Sequence, residues 1–249
     1  MNTIDRDRPI YEAIAQVIQD FQVNAQAYFT EEDVRWQVIK EIEARLSSQN
    51  QRKVQLRDGY TSCVHGEYPS PFRCSMAAHS FSLEDIESSA SRGHFDVVVL
   101  NPAAALQCSF EIARAQYYHA FLGELSHLPL PFLDCVIEIK LFRDLAHRNR
   151  TESPGAQAKY GMQAINKVVA ALDAQPPYYF HPFARRGVVL MLDNSHLAYS
   201  TDILGARQRF INAFENALDC SLLPNTFLAV WATPDEKREY RGTRAPHTS

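Results

Sequence analysis

The chain has 249 residues and a mass of 28.3 kDa, and it is 46% hydrophobic, 22% charged and 11% aromatic. Those are the proportions of a globular, enzyme-sized protein, and they exclude disordered, collagen-like and coiled-coil readings. Twenty-five basic residues against 29 acidic ones leave a net charge of −4, which rules out a histone-like polycation held to nucleic acid by bulk charge.

A single α/β domain over residues 1–249 is expected, since a mixed sheet of this length commonly forms one unit. The opening segment MNTIDRDRPIYEAIAQVI lacks an uninterrupted apolar stretch and a small-residue cleavage site. No later run approaches the length of a membrane span, so a cytoplasmic protein without membrane contact is expected. Five cysteines, an odd number without a C-x-x-C pair, fit reduced thiols in such a compartment.

In chain order, residues 9–29 predict a helix that forms an N-terminal extension over 1–29, and 30–47 predict a second helix. Thr30 is its N-cap, and Glu31, Glu32 and Asp33 follow in the first turn, where they favour the positive end of the helix dipole. Val34, Val38, Ile39, Ile42 and Leu46 define the apolar face. Glu31 falls near the middle of that face and Glu32 toward its edge. A carboxylate aimed inward calls for a reason.

Lys53–Leu56 predicts a strand, followed by a Gly/Pro/Ser/Cys-bearing stretch with room for a hairpin. Val97 to Leu100, closed by Asn101-Pro102, predicts a buried strand that begins around Phe95. A helical insertion is expected over 106–125, then an apolar strand LDCVIEIKLF over 133–142. Ser153-Pro154-Gly155 leads into a helix over about 157–173. A strand over 187–192, a helix over 201–218, a strand over 225–232 and a flexible tail over 235–249 complete the chain.

The chemistry concentrates on the 133–142 strand. Alternation places Glu138 and Lys140 on one side of it, with Asp134 farther back, opposite Ile137, Ile139 and Leu141. An acid-x-Lys triplet is cheap: with six lysines and 29 acids, chance supplies about 0.7 of them. The chain has two, and Asp235-Glu236-Lys237 is accounted for as a solvated turn.

Glu138 and Lys140 differ because a charge pair inside a buried strand is costly unless it is coordinated or hydrogen-bonded. The bland alternative is an exposed sheet face with ordinary cross-strand pairing. Asp96 shifts the balance: it opens another buried strand, and two carboxylates on adjacent strands are what a hard cation such as Mg²⁺ requires.

With Glu31, Asp96, Glu138-Ile139-Lys140 and Gln163 in that order, the chain resembles the PD-(D/E)XK, or restriction-endonuclease-like, nuclease superfamily. The resemblance runs from residue 30 to about 232. It implies an α/β fold with a central mixed β-sheet flanked by helices in αβββαβ order, here with the helical insertion inside the 42-residue interval between Asp96 and Glu138. Phe95 stands where many members have proline.

The resemblance further implies a Mg²⁺-dependent endonuclease acting on DNA, with Mn²⁺ able to substitute. Asp96, Glu138 and the Ile139 carbonyl would hold the metal, and Lys140 would orient or deprotonate the attacking water. Glu31 would hold a metal-bound water, and Gln163 would position the nucleophile or Lys140. A restriction, repair or defence role fits, and a homodimer is left open. Arg143, Arg148 and Arg150, with His147 and with Arg185 and Arg186 beyond, would contact phosphates. The rival reading is a catalytically inactive protein of the same fold that serves as a nucleic-acid-binding or assembly module.

Cys63, His65, Cys74 and His79 are zinc-type ligands, but their spacing matches no standard module, and ordinary thiols and histidines explain them. Asp193, Ser195 and His196 lack a nucleophile elbow and read as loop polarity. The chain has neither G-x-G-x-x-G nor a P-loop, so nucleotide cofactors gain no support. Tyrosines such as Tyr11, Tyr28 and Tyr118 are accounted for by packing rather than base stacking.

Overall fold

The structure, a computed structural model, describes residues 7–48, 51–70, 93–113, 128–143, 154–173, 182–195 and 202–245. It is a mixed α/β architecture in which helices flank a six-stranded mixed sheet. No described helix is long and apolar enough to cross a membrane.

Helix α1 (Asp7–Val23) buries Ile10, Ile14, Val17, Ile18 and Phe21. After a 3-10 turn at Ala25–Ala27 comes α2 (Glu31–Ser48). Its start is fixed locally: the Asp33 carboxylate accepts the Phe29 and Thr30 amides at 2.9 and 2.8 Å, and the Thr30 hydroxyl accepts the Asp33 amide at 3.2 Å. This is a reciprocal capping box. Val34, Val38, Ile42 and Leu46, spaced four apart, are wholly buried, and burying such a side chain contributes roughly 1.5–3 kcal/mol.

A hairpin of β1 (Lys53–Leu56) and β2 (Gly59–Ser62) stands apart as its own two-stranded sheet. The main sheet follows the order β3 (Val64–Ser70), β4 (Gly93–Leu100), β5 (Leu133–Phe142), β6 (Gly187–Asp193), β7 (Phe227–Ala232), β8 (Lys237–Arg241). The outer pairs β3/β4, β4/β5 and β7/β8 are antiparallel, and β5/β6/β7 are parallel. The two parallel connections are helical crossovers, α5 (Pro154–Asp173) and α6 (Ile203–Ala217). β6 and β7 are buried along their whole length, as expected for strands covered on both faces.

One expectation needs correction. The tail from Asp235 is not simply flexible, because Lys237–Arg241 forms the edge strand β8 and the Arg244 guanidinium pairs with the Asp173 carboxylate. KREYR has one uncharged residue and therefore no apolar alternation that would mark it as a strand. Of the expected helix over 106–125, residues 106–109 form a turn after α3 (Pro102–Ala105), helical structure is present in α4 (Phe110–Ala113), and residues 114–127 lie outside the described ones.

Candidate active site

The site arises where two strands part. β4 and β5 pair only from Val97 with Ile137 to Leu100 with Leu133. On the other side of Val97, β4 stays with β3, while β5 from Glu138 to Phe142 stays with β6. The sheet therefore forks, with Asp96 and Glu138 as the first residues beyond the last shared pair.

A fork strands backbone donors, since β5 loses the neighbour that would have accepted its amides. Side-chain carboxylates take that place. Asp96 Oδ2 accepts the Ile139 amide at 2.7 Å, and Glu31 Oε1, from the first residue of α2, accepts the Leu141 amide at 3.2 Å. Lys140 Nζ donates to the Ile139 carbonyl at 2.8 Å and lies 3.7 Å from Glu31 Oε2. Glu31, Asp96, Glu138 and Lys140 are thus brought to one place from a helix and two strands.

A fifth residue joins them that spacing along the chain does not single out. Lys167 reaches from α5 into the fork, donates to both Glu138 Oε1 and the His94 carbonyl, and lies 5.0 Å from the centre of the Phe95 ring. Its side chain is 5% exposed and that of Glu138 2%. A signal was present: Lys167 is one of six lysines and the only charge between Lys159 and Asp173. Gln163, one turn earlier on α5, is half-buried, and no hydrogen bond ties it to these groups among the described residues.

Glu138 carries the strongest electrostatic signature. Burial pushes its carboxyl up to about 7; Lys167 opposes that rise, Asp96 adds to it and Lys140 opposes it. Burial and the Asp96 carboxylate together outweigh the two lysines, so the neutral form of Glu138 is favoured relative to a free carboxyl.

The other expected residues that the structure describes have partners of their own. Glu32 is half-exposed and pairs with Arg35 at 2.6 Å, whereas Glu31 reaches the Leu141 amide and Lys140, so the helix acid at the fork is Glu31. Arg143 donates to the Phe29 carbonyl at 3.0 Å, tying the end of β5 to the α2 cap. Arg185 instead pairs with Asp134 at 3.1 Å, which stands roughly 13 Å from Glu138 along the strand. His147, Arg148, Arg150 and His196 lie outside the described residues, as do Cys74 and His79 of the zinc-type set. Within that set, Cys63 is buried against the Leu100 carbonyl and His65 bonds the Ser62 carbonyl.

Two carboxylates and a main-chain carbonyl form an all-oxygen donor set of the kind that suits Mg²⁺ or Mn²⁺. No group of three or more His, Cys, Asp or Glu side chains is assembled for a metal among the described residues, and Lys140 and Lys167 engage the carbonyl and Glu138. A cation bound here would share these oxygens with the lysines. A scan against protein-family models finds no match, and searches of the curated proteins and of the solved structures return none.

Proposed function

We propose that the protein is a metal-dependent phosphodiesterase acting on DNA, with a fold of the restriction-endonuclease-like kind. The observation that carries the reading is the convergence of Glu31, Asp96, Glu138 and Lys140 at the point where β4 and β5 separate. The succession α2, β3, β4, β5, α5, β6 around the fork supports it, since it follows the αβββαβ order that the sequence resemblance implies.

Asp96, Glu138 and the Ile139 carbonyl are the groups that would hold Mg²⁺, which when bound supplies charge to the scissile phosphate and lowers the pKa of a coordinated water. Lys140 is held between the Ile139 carbonyl and Glu31, where its ammonium is available to orient a water or stabilise charge on phosphate. Lys167 keeps Glu138 oriented and balances part of its charge in the buried crotch. Arg143, beside Phe29 at the mouth, is the described cation suited to a flanking phosphate.

The test is cleavage of a DNA substrate in Mg²⁺ or Mn²⁺ by wild type, Asp96→Ala and Lys140→Ala, with folding checked by circular dichroism. Loss of cleavage in both folded variants supports the reading; unchanged cleavage in both sinks it. One observation favours the rival of an inactive binding or assembly module: Glu138, Asp96 and Glu31 each already have a partner within the chain. That reading predicts no heat of Mn²⁺ binding that Glu138→Gln removes.

A further inference from the structure

Asp96 is approached from its far side by a second arrangement. Arg35, one turn into α2, holds its guanidinium 3.6 Å from Asp96 Oδ1, 2.8 Å from Glu67 Oε1 and 2.6 Å from Glu32 Oε2, and its side chain is 12% exposed. Asp96 Oδ2 meanwhile accepts the Ile139 amide. The carboxylate is gripped at both oxygens, by an amide on one and a cation on the other.

Glu67 is itself held in an unusual way. The β3/β4 ladder pairs Gly66 with Val97 and Tyr68 with Phe95, and the pair it skips is Glu67 with Asp96. Glu67 has φ 48°, the only non-glycine residue in the left-handed region among those described. That backbone is unfavourable for glutamate and persists where surroundings impose it, often at functional sites. Its side chain is 67% exposed, so burial does not explain the conformation; the ion pair with Arg35 is what it delivers.

Gly66 makes room for the arrangement. A Cβ there would lie 3.2 Å from Ile39 Cδ1 and 3.6 Å from Arg35 Cδ, so glycine lets α2 and the Arg35 stem lie close against β3. Arg35 Nε is buried and has no hydrogen-bond partner among the described residues, while the outer nitrogens serve the carboxylates.

We propose that Arg35 is the positioning residue of Asp96: braced by Glu67 and Glu32, it fixes the carboxylate on the Ile139 amide and so aims the remaining lone pairs of Asp96 into the fork. The benefit to catalysis rests on the nuclease reading, whereas the positioning itself does not. Lysine in place of Arg35 keeps the charge but loses the planar fork that spans several carboxylates at once.

The experiment is amide hydrogen exchange by NMR on wild type, Arg35→Lys and Glu67→Gln. The Ile139 amide should exchange at least about tenfold faster in Arg35→Lys and faster by a smaller factor in Glu67→Gln, because Asp96 protects it where β4 has departed. Leu141, whose amide is held by Glu31, and Ile137 within the ladder are the controls and should not change. Unchanged protection of Ile139 in both variants overturns the proposal, and so does equal acceleration at all three amides, which would report general loosening. Glu67 is exposed, so its variant keeps the test available should Arg35→Lys fold poorly.

Cleavage assays form a separate arm. In Arg35→Lys the proposal expects kcat to fall about tenfold with KM for DNA unchanged, whereas a raised KM at constant kcat would make Arg35 a phosphate contact and overturn it. A wild type that neither binds Mn²⁺ nor cuts DNA defeats the nuclease reading, and the exchange data then decide the positioning by themselves.

Discussion

Glu138 and Lys167 form the most deeply buried ion pair at the fork, with side chains 2% and 5% exposed. Removing one partner of such a pair leaves an uncompensated charge, so Lys167→Met should lower stability by about 3–5 kcal/mol in urea unfolding. The double variant Glu138→Leu with Lys167→Met should recover most of that loss, because matched apolar groups leave no buried charge. If the double variant is no more stable than the single, the pair is not the source of the cost.

The same glutamate gives the protein a pH dependence with a definite sign. Its folded-state pKa of about 7 lies above the ordinary carboxyl value, so between roughly pH 4.5 and 7 the folded state holds a proton that the unfolded state has lost. Stability should therefore fall with rising pH across that window, by at most about 1.4 kcal/mol per unit, and level off above it. Glu138→Gln should flatten the slope in urea midpoints measured from pH 4.5 to 8. Metal binding runs the opposite course, since Mn²⁺ competes with that proton: affinity should rise up to tenfold per unit below pH 7 and plateau above.

At the scale of the element, α2 matters because its first residue is a site residue. The Thr30–Asp33 box sets where the helix begins, and Glu31 then lies within reach of the Leu141 amide and Lys140. Thr30→Ala should cost about 1 kcal/mol of stability. It should also lower cleavage more than an equally destabilising change at the far end of α2, measured at a temperature where both variants are folded. Much of this element is legible from residues alone: the cap, the first-turn acids and the buried stripe Val34, Val38, Ile42 and Leu46 all declare themselves through spacing. The β5 strand is equally legible, with the bounds 133–142 read directly from its apolar run.

At the scale of the whole molecule, the sheet is completed by a segment that local pattern assigns to a tail. β8 covers the β7 edge, and Arg244, just beyond β8, fastens the chain there to the end of α5 through Asp173. Truncation after Pro234 should therefore expose the apolar β7 edge. The shortened chain should lose solubility or show a markedly lower Tm, whereas loss of a merely flexible tail would leave both unchanged. Size-exclusion chromatography and thermal scans of the truncated chain distinguish the two.

From the residues by themselves came the mixed α/β class and the strands β5, β6 and β7 with the helices between them, which periodicity of 2 or 3.6 writes along the chain. The set Glu31, Asp96, Glu138 and Lys140 came from their order together with the resemblance it carries. The fork between β4 and β5, the entry of Lys167 from α5, the grip of Arg35 on Asp96 and the recruitment of β8 were decided only by the tertiary structure. Each joins residues tens of positions apart through a register or a helix packing that no local pattern encodes. Lys167 shows why: along the sequence it is one polar residue in an apolar helix, and it becomes part of a site only because the strands beneath it separate at Glu138.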